Sequence, residues 1–283
     1  MKRYAFIIAL ACCWMLASCV KDRLYDLPPH AGPDVVIVAA DWTNRSQSAS
    51  VPAEYTLRLA CCEEREFTLD AAVPSLFPVP LEEGKHSFLA RNTADKIDVN
   101  GHLATVAAAG EEGIDPLPGY FFSARREFEV GRGDTTRVTM PMRQRVRDLS
   151  FELTLTDSNP ERVAGITGSL AGVAAQFDLE TQRPTGGAKR VDPRFIREGA
   201  VVTARLRLMG IAGQEQLLAL RIVFTDGSVQ QLQADLTAQF IGFEDDMTHP
   251  LTIRGNLSIP AEPGLSASIS DWTVGENDEI EIH

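Results

Sequence analysis

Apolar residues recur at every second position through most of this chain. Val36, Val38 and Ala40 share one face of a segment ending at Asp41-Trp42, and Tyr55, Leu57 and Leu59 share another. Phe88 and Ala90, then Ile97 and Val99, continue the series. Successive side chains leave a strand on opposite faces, so period two predicts half-buried strands. The second half repeats the pattern in longer runs: Leu149, Phe151, Leu153 and Leu155; Val202, Ala204, Leu206 and Leu208; Leu218, Leu220, Ile222 and Phe224. Leu251 and Ile253, then Leu257 and Ile259, precede a last segment, Leu265 to Val274, that contains Asp271-Trp272. Helical periodicity is nearly absent, and Leu232–Phe243 is the one stretch that predicts a short helix.

Turn chemistry divides these runs. Asn100-Gly101 lies between Lys96–Val99 and Leu103–Val106 and predicts a hairpin, since both residues tolerate positive φ. Gly131-Arg132-Gly133-Asp134 predicts a second hairpin loop, and Thr225-Asp226-Gly227-Ser228 turns the chain toward Val229–Leu236. At Met140–Arg147 a proline and three alternating arginines interrupt the pattern, which reads as the passage between two domains. The spacing fits two antiparallel β-sandwiches of about 120 to 140 residues each. They take residues 34–146 and 147–283.

The N-terminus adds an address. Lys2 and Arg3 precede an apolar stretch, Tyr4 to Met15, that is too short to span a bilayer. Leu16-Ala17-Ser18-Cys19 then has the form of a bacterial lipoprotein signal, with residues 1–18 removed and lipid carried on Cys19. Residues 19–33 form a tether whose paired prolines, Pro28 and Pro29, favour extended backbone. Loss of residues 1–18 takes two of the 27 basic side chains, leaving 25 against 39 acidic ones, a net charge of −14. Such a balance argues against nucleic acid and against adsorption to anionic headgroups. Beyond Cys19 only Cys61 and Cys62 remain; as neighbours they make a poor structural bridge.

Candidate chemistry is sparse. Five scattered histidines show no metal-like spacing, and no nucleophile elbow, zinc helix or phosphate loop occurs. Gly168-Ser169-Leu170-Ala171-Gly172 puts a glycine directly before its serine, where an elbow needs one residue between. Asp98, Asn100 and Gly101 imitate part of a calcium loop, but Lys96 occupies the first ligand position and Ala107 the last. Glu244-Asp245-Asp246 reads as solvated loop acid. No nucleophile, base and orienter assemble, so no enzyme, no cofactor, no metal and no small-molecule substrate are expected. Arg132-Gly133-Asp134 is an adhesion tripeptide at a predicted loop tip, although glycine and aspartate also suit such loops for backbone reasons. Trp42 and Trp272 each adjoin a strand-borne aspartate and read as structural.

Several segments, in order, resemble one family. They are Cys19–Pro28, Ala40-Asp41-Trp42, Val51–Tyr55, Phe88–Thr93, Met142–Leu149, Gly165–Val173, Leu208–Gly213 and Ile269–Trp272. The set is similar to the FimB-type anchor and minor-subunit lipoproteins of Bacteroidales type V fimbriae. The resemblance implies an all-β chain of two transthyretin-like sandwiches, lipid-anchored at the outer membrane and exposed at the cell surface. It also implies assembly with fimbrial subunits by strand addition, with Leu265–His283 as the candidate partner-contacting strand. Stalk subunits of this kind are cut by an arginine-specific protease, and Arg45 is the arginine placed for that; an anchor would stay uncut. Asp134-Thr135-Thr136 resembles the O-glycosylation acceptor of the same phylum, which marks Thr135. The alternative is an outer-membrane lipoprotein that binds glycan or protein through its sandwich loops.

Overall fold

The alternating runs become strands in a computed structural model that describes residues 35–60, 65–132, 134–156, 159–259 and 267–276. Cys19, the tether, Cys61, Cys62, Gly133 and the acidic C-terminal end lie outside these residues. The first half supplies β1 (Val35–Asp41), β2 (Glu54–Leu59), β3 (Glu66–Asp70), β4 (Ser75–Leu76), β5 (Gly84–Arg91), β6 (Ile97–Asn100), β7 (Leu103–Val106), β8 (Ala108–Ala109), β9 (Gly113–Ile114), β10 (Phe122–Val130), β11 (Thr135–Pro141) and β12 (Arg143–Gln144). The second supplies β13 (Arg147–Thr156), β14 (Val163–Asp178), β15 (Arg183–Val191), β16 (Phe195–Glu198), β17 (Val201–Leu208), β18 (Leu217–Phe224), β19 (Val229–Asp235), β20 (Leu251–Ser258) and β21 (Ser268–Glu276).

In the first sandwich a three-stranded sheet, β11-β1-β4, faces a five-stranded sheet, β12-β10-β5-β2-β3. Val36, Val38, Tyr55, Leu57, Phe88 and Met140 fill the space between them, with Trp42 edge-on to Phe122 at 5.5 Å. In the second, β16-β17-β13-β20-β21 faces a sheet built on β19-β18-β14-β15-β9-β8. The inward rows of β13, β17 and β18 meet there, as period two requires. Most pairings are antiparallel, but β1 lies parallel to β11, β13 to β20 and β9 to β15.

Three local expectations need correction. The β6–β7 hairpin pairs Asn100 with Leu103, so its two-residue turn is Gly101-His102. Gly101 has φ +60° and His102 is not in the left-handed region, the pattern of a II′ turn with glycine first. The residues around Arg132 and Asp134 do not close a hairpin: β10 pairs with β5 and β12, whereas β11 pairs with β1, so the loop crosses between the two sheets. Leu232–Phe243 is not a helix. Strand β19 runs to Asp235 and only a 3-10 turn, Thr237–Phe240, follows, halted by Gly242 at φ +73°.

The hairpin also goes where local pattern does not point. β7 pairs with the last residues of β14, Gln176–Asp178, beyond the stretch of β14 that β18 covers. β9 pairs with β15. Residues 93–121 therefore form an arm that leaves the first sandwich and completes a sheet of the second. Asn92 closes its base: the Asn92 side chain donates to the Tyr120 carbonyl at 3.0 Å and accepts from the Phe122 amide at 2.7 Å.

Candidate functional site

The residues that carry long-range polar contacts converge on the seam between the sandwiches. Met142, Gln144 and Val146 are buried on one side of the connecting segment, while Arg143 points to solvent. Gln144, 1% exposed, is the first tie. Its carbonyl oxygen accepts the Ser46 amide at 2.8 Å, and its amide nitrogen donates to the carbonyls of Val146 and Met247, each at 2.8 Å. A glutamine is suited to this because it offers an acceptor and two donors on one planar group.

Arginines follow: Arg145 ties across the seam, and Arg147 braces the second sandwich beside it. Arg145 donates to Ser123 Oγ at 2.9 Å and to Gln182 Oε1, and lies 4.9 Å over the Phe177 ring. Burial, with repulsion from Arg143, pulls its pKa down to about 10. Arg147 donates to the carbonyls of His249 at 2.7 Å and Phe243 at 2.8 Å and stacks 5.1 Å over Phe243. Burial lowers Arg147, against the pull of Asp246 and Glu244.

Asp148 follows and joins three separate stretches of the chain, at Ser48, Tyr120 and Arg207. Its Oδ2 lies 2.5 Å from the Tyr120 hydroxyl and 3.0 Å from Ser48 Oγ, and these two hydroxyls lie 2.6 Å apart. Its Oδ1 accepts from Arg207 Nε at 2.9 Å, and the guanidinium stacks 4.2 Å from the Tyr120 ring centre. Burial, then the bond to Asp148, raises the Tyr120 pKa above that of a free phenol. A serine held directly on a carboxylate, with no imidazole between them, is not an activated nucleophile; this cluster holds the two sandwiches together.

Around the ties lies apolar contact. Leu89, on the outer face of β5, is buried in the second cluster, as are Ile97, Ala104, Val106, Ile114 and Phe121 from the arm. Seam residues 48, 120, 148 and 207 are ordinary polar types far apart in sequence, and no local signal marks them. Only the arginine alternation at 143–147 pointed here.

The residues singled out from sequence are dispersed. Arg45 is exposed; its guanidinium donates to the Ala49 carbonyl at 2.9 Å and its amide to Thr43 at 3.1 Å. Ser46, on the far side of the Arg45–Ser46 bond, is 4% exposed and held by Gln144. Val35 pairs with Thr135 and Asp41 with Pro141, which sets the two ends of the first sandwich roughly 20 Å apart. Arg132 and Asp134 therefore stand at the end where the chain enters at Val35, and Arg45 stands at the seam. Asp134 Oδ1 accepts the Thr135 amide at 2.7 Å, and Thr135 opens strand β11 half-buried.

Other acids do not converge. Glu244 accepts the Ile211 amide at 2.8 Å. Asp246 turns onto Thr248 and His249; burial acts to raise it, but these hydrogen bonds outweigh burial and hold it at about 2. Among the described residues no group of three or more His, Cys, Asp or Glu side chains is placed to hold a metal ion. Trp42 is buried and donates to the Ala71 carbonyl at 3.1 Å, while Trp272 packs against Gly255, where an added Cβ would sit 2.9 Å from its ring.

Known proteins share this architecture. A family model described as "Fimbrillin-A associated anchor proteins Mfa1 and Mfa2" matches residues 86–278, more than half of the chain. Among solved structures, the fimbrial anchor protein Mfa2 from Porphyromonas gingivalis aligns with TM-score 0.63 at 13% identity, covering 86% of this chain and 98% of that one. A candidate adhesin from Bacteroides ovatus aligns with TM-score 0.60 at 16% identity, covering 82% and 90%. A candidate polysaccharide-binding protein from Bacteroides thetaiotaomicron aligns with TM-score 0.57 at 9% identity, covering 87% and 98%. No curated protein matches the sequence.

Proposed function

The chain belongs to the Mfa2 family of fimbrillin-A associated anchor proteins, and on that premise we propose that it is a non-catalytic anchor or accessory subunit of a type V fimbria, tethered to the outer membrane by lipid on Cys19. Membership carries a fimbrial anchor- or adhesin-type role at the cell surface or envelope, and supports a structural role over an enzymatic one. The observation that carries the anchor reading is the place of β1. It pairs with β11 over seven residues, buries Val36, Ile37 and Val38, and is the central strand of its sheet. The segment leading from Cys19 is thus continuous with a strand the first core needs.

Retention of that strand requires the Arg45–Ser46 bond to survive. A protease must draw several residues around the bond into extended form, and local opening is costly where the backbone is pinned. The Gln144 tie on the Ser46 amide and the Arg45 bond to Ala49 favour an uncut chain. In this proposal fimbrial subunits join by strand addition, in which main-chain hydrogen bonds supply affinity. β21, the edge strand beside β20, is the candidate contact. The RGD tripeptide, at the tether end, is poorly placed to reach a host receptor, and Thr135 remains a proposed glycosylation site.

Cys19→Ala tests the reading. The variant should lose palmitate label and leave the membrane fraction, while wild-type protein from sheared filaments should still contain Val35–Arg45 by intact mass. Label and membrane retention in the variant, or a mature chain beginning at Ser46, would overturn it.

A further inference from the structure

The outer face of the large second sheet carries a trough that the seam and the anchor role leave unused. Its floor is short side chains: Ser169 pairs with Ala219, and Thr167 with Arg221 one pleat further along. Longer side chains flank them. Gln233 stands opposite Ala219 and Gln231 opposite Arg221 on β19, while Arg190 and Asp192 rise on the other side, where β15 ends. Short residues at the centre of a sheet face with long ones on both sides produce the hollow.

Its chemistry is specific. Arg190 Nε lies 3.4 Å from Asp192, which steers the guanidinium and leaves its outer nitrogens free. The Arg221 guanidinium has no hydrogen-bond or ion-pair partner among the described residues, and the two arginines outnumber the one carboxylate in a chain of net charge −12. At physiological salt charges beyond about 8 Å are screened, and the groups lining the trough decide what it attracts. Free guanidinium forks match carboxylates in a two-point geometry.

We propose that this trough binds an acidic oligosaccharide, with Arg221 and Arg190 engaging a uronate carboxylate and Gln231, Gln233, Thr167 and Asp192 engaging hydroxyls. A sugar hydroxyl both donates and accepts, which suits amides, hydroxyls and a carboxylate side by side. An acidic peptide is disfavoured. Backbone groups between β14, β18 and β19 are already paired within the sheet, and Leu220 and Leu232 pack toward the core, so the trough has no apolar pocket for a peptide side chain beyond the small methyls of Ala219 and Thr167. From Arg190 to Gln233 is three strand spacings, roughly 14 Å, enough for two or three linked sugars. The inference does not rest on the fimbrial reading and either can fail alone.

The test is calorimetric titration of the detergent-solubilised full-length protein with trigalacturonate, its methyl ester and a hexaglutamate peptide. Trigalacturonate should bind at least tenfold more tightly than either control. Arg221→Gln should weaken it tenfold or more, and Ala219→Leu, which fills the floor, should abolish it, both with unchanged unfolding midpoints. Absence of trigalacturonate binding, equal binding of the ester or the peptide, or an Arg221→Gln variant that binds like wild type would overturn the proposal.

Discussion

Phe121→Ala is the sharpest probe of the seam. Phe121 lies in the first half of the sequence, yet its ring is fully buried in the core of the second sandwich. Truncating a buried phenylalanine costs about 3 to 5 kcal/mol through lost transfer energy and residual cavity. With a urea dependence of about 2 to 3 kcal/mol per molar for a unit of this size, the midpoint should fall by about 1.5 M. Each sandwich carries its own reporter, Trp42 in the first and Trp272 in the second. In a soluble Cys19→Ala form lacking residues 1–18, Trp42→Phe leaves Trp272 as the only fluorophore of its kind, and Trp272→Phe leaves Trp42. Each background is compared with its own Phe121 parent. The Trp272 midpoint should drop, and the Trp42 midpoint should drop with it because Gln144 and Asp148 tie the units. A fall at Trp42 with Trp272 unmoved would place Phe121 energetically in the first sandwich and refute the reasoning, as would a shift at neither.

Gln144→Ala removes three hydrogen bonds, two of them buried, at about 1 kcal/mol each and takes the partner from the Ser46 amide and two carbonyls; limited trypsin digestion should then cut after Arg45 at least tenfold faster. Asp148→Asn should cost about 2 kcal/mol, after discounting the partly exposed Arg207 pair, and should separate the two tryptophan transitions in urea. Gly172→Ala should prevent folding or cost well over 2 kcal/mol, because φ is +81° and the new methyl would meet the Glu215 carbonyl; Gly227→Ala, at φ +83° in open space, should cost only about 1 kcal/mol in thermal melts. Burial raises the phenol of Tyr55 above its ordinary 10.0, and burial and Asp148 raise that of Tyr120. Ionisation therefore costs more in the folded chain, so the contribution of these two phenols is fully present below pH 10 and stability should decline above it in pH-jump denaturation, less steeply in Tyr55→Phe.

Period two was sufficient to find the strands whose inward rows are longest, such as Leu149–Leu155 and Leu218–Phe224, because burial of one sheet face writes itself along the chain. It did not reveal where the β6–β7 hairpin docks. Turn residues decide that Ile97–Val106 folds back on itself, but its neighbour, Gln176–Asp178, is selected by shape across some seventy residues. Leu89 shows the same limit: on β5 it alternates with Phe88 and Ala90 and reads as solvent-facing, until the second sandwich covers it. The candidate site was legible only as three alternating arginines. Ser48, Tyr120, Asp148 and Arg207 acquire meaning through tertiary proximity, which no spacing encodes.

The parallel course of β1 and β11 has a mechanical consequence. Under the proposed lipid anchoring at Cys19, a pull from the membrane would enter β1 at Val35, its N-terminal end, while the opposing load from the second sandwich would leave β11 through Pro141, its C-terminal end. The two strands are then drawn lengthwise past one another, so the seven registered pairs bear load in shear and yield together rather than unzipping singly. A strand pair loaded in this manner resists tension with its whole length, which is what the proposed anchor role demands of it.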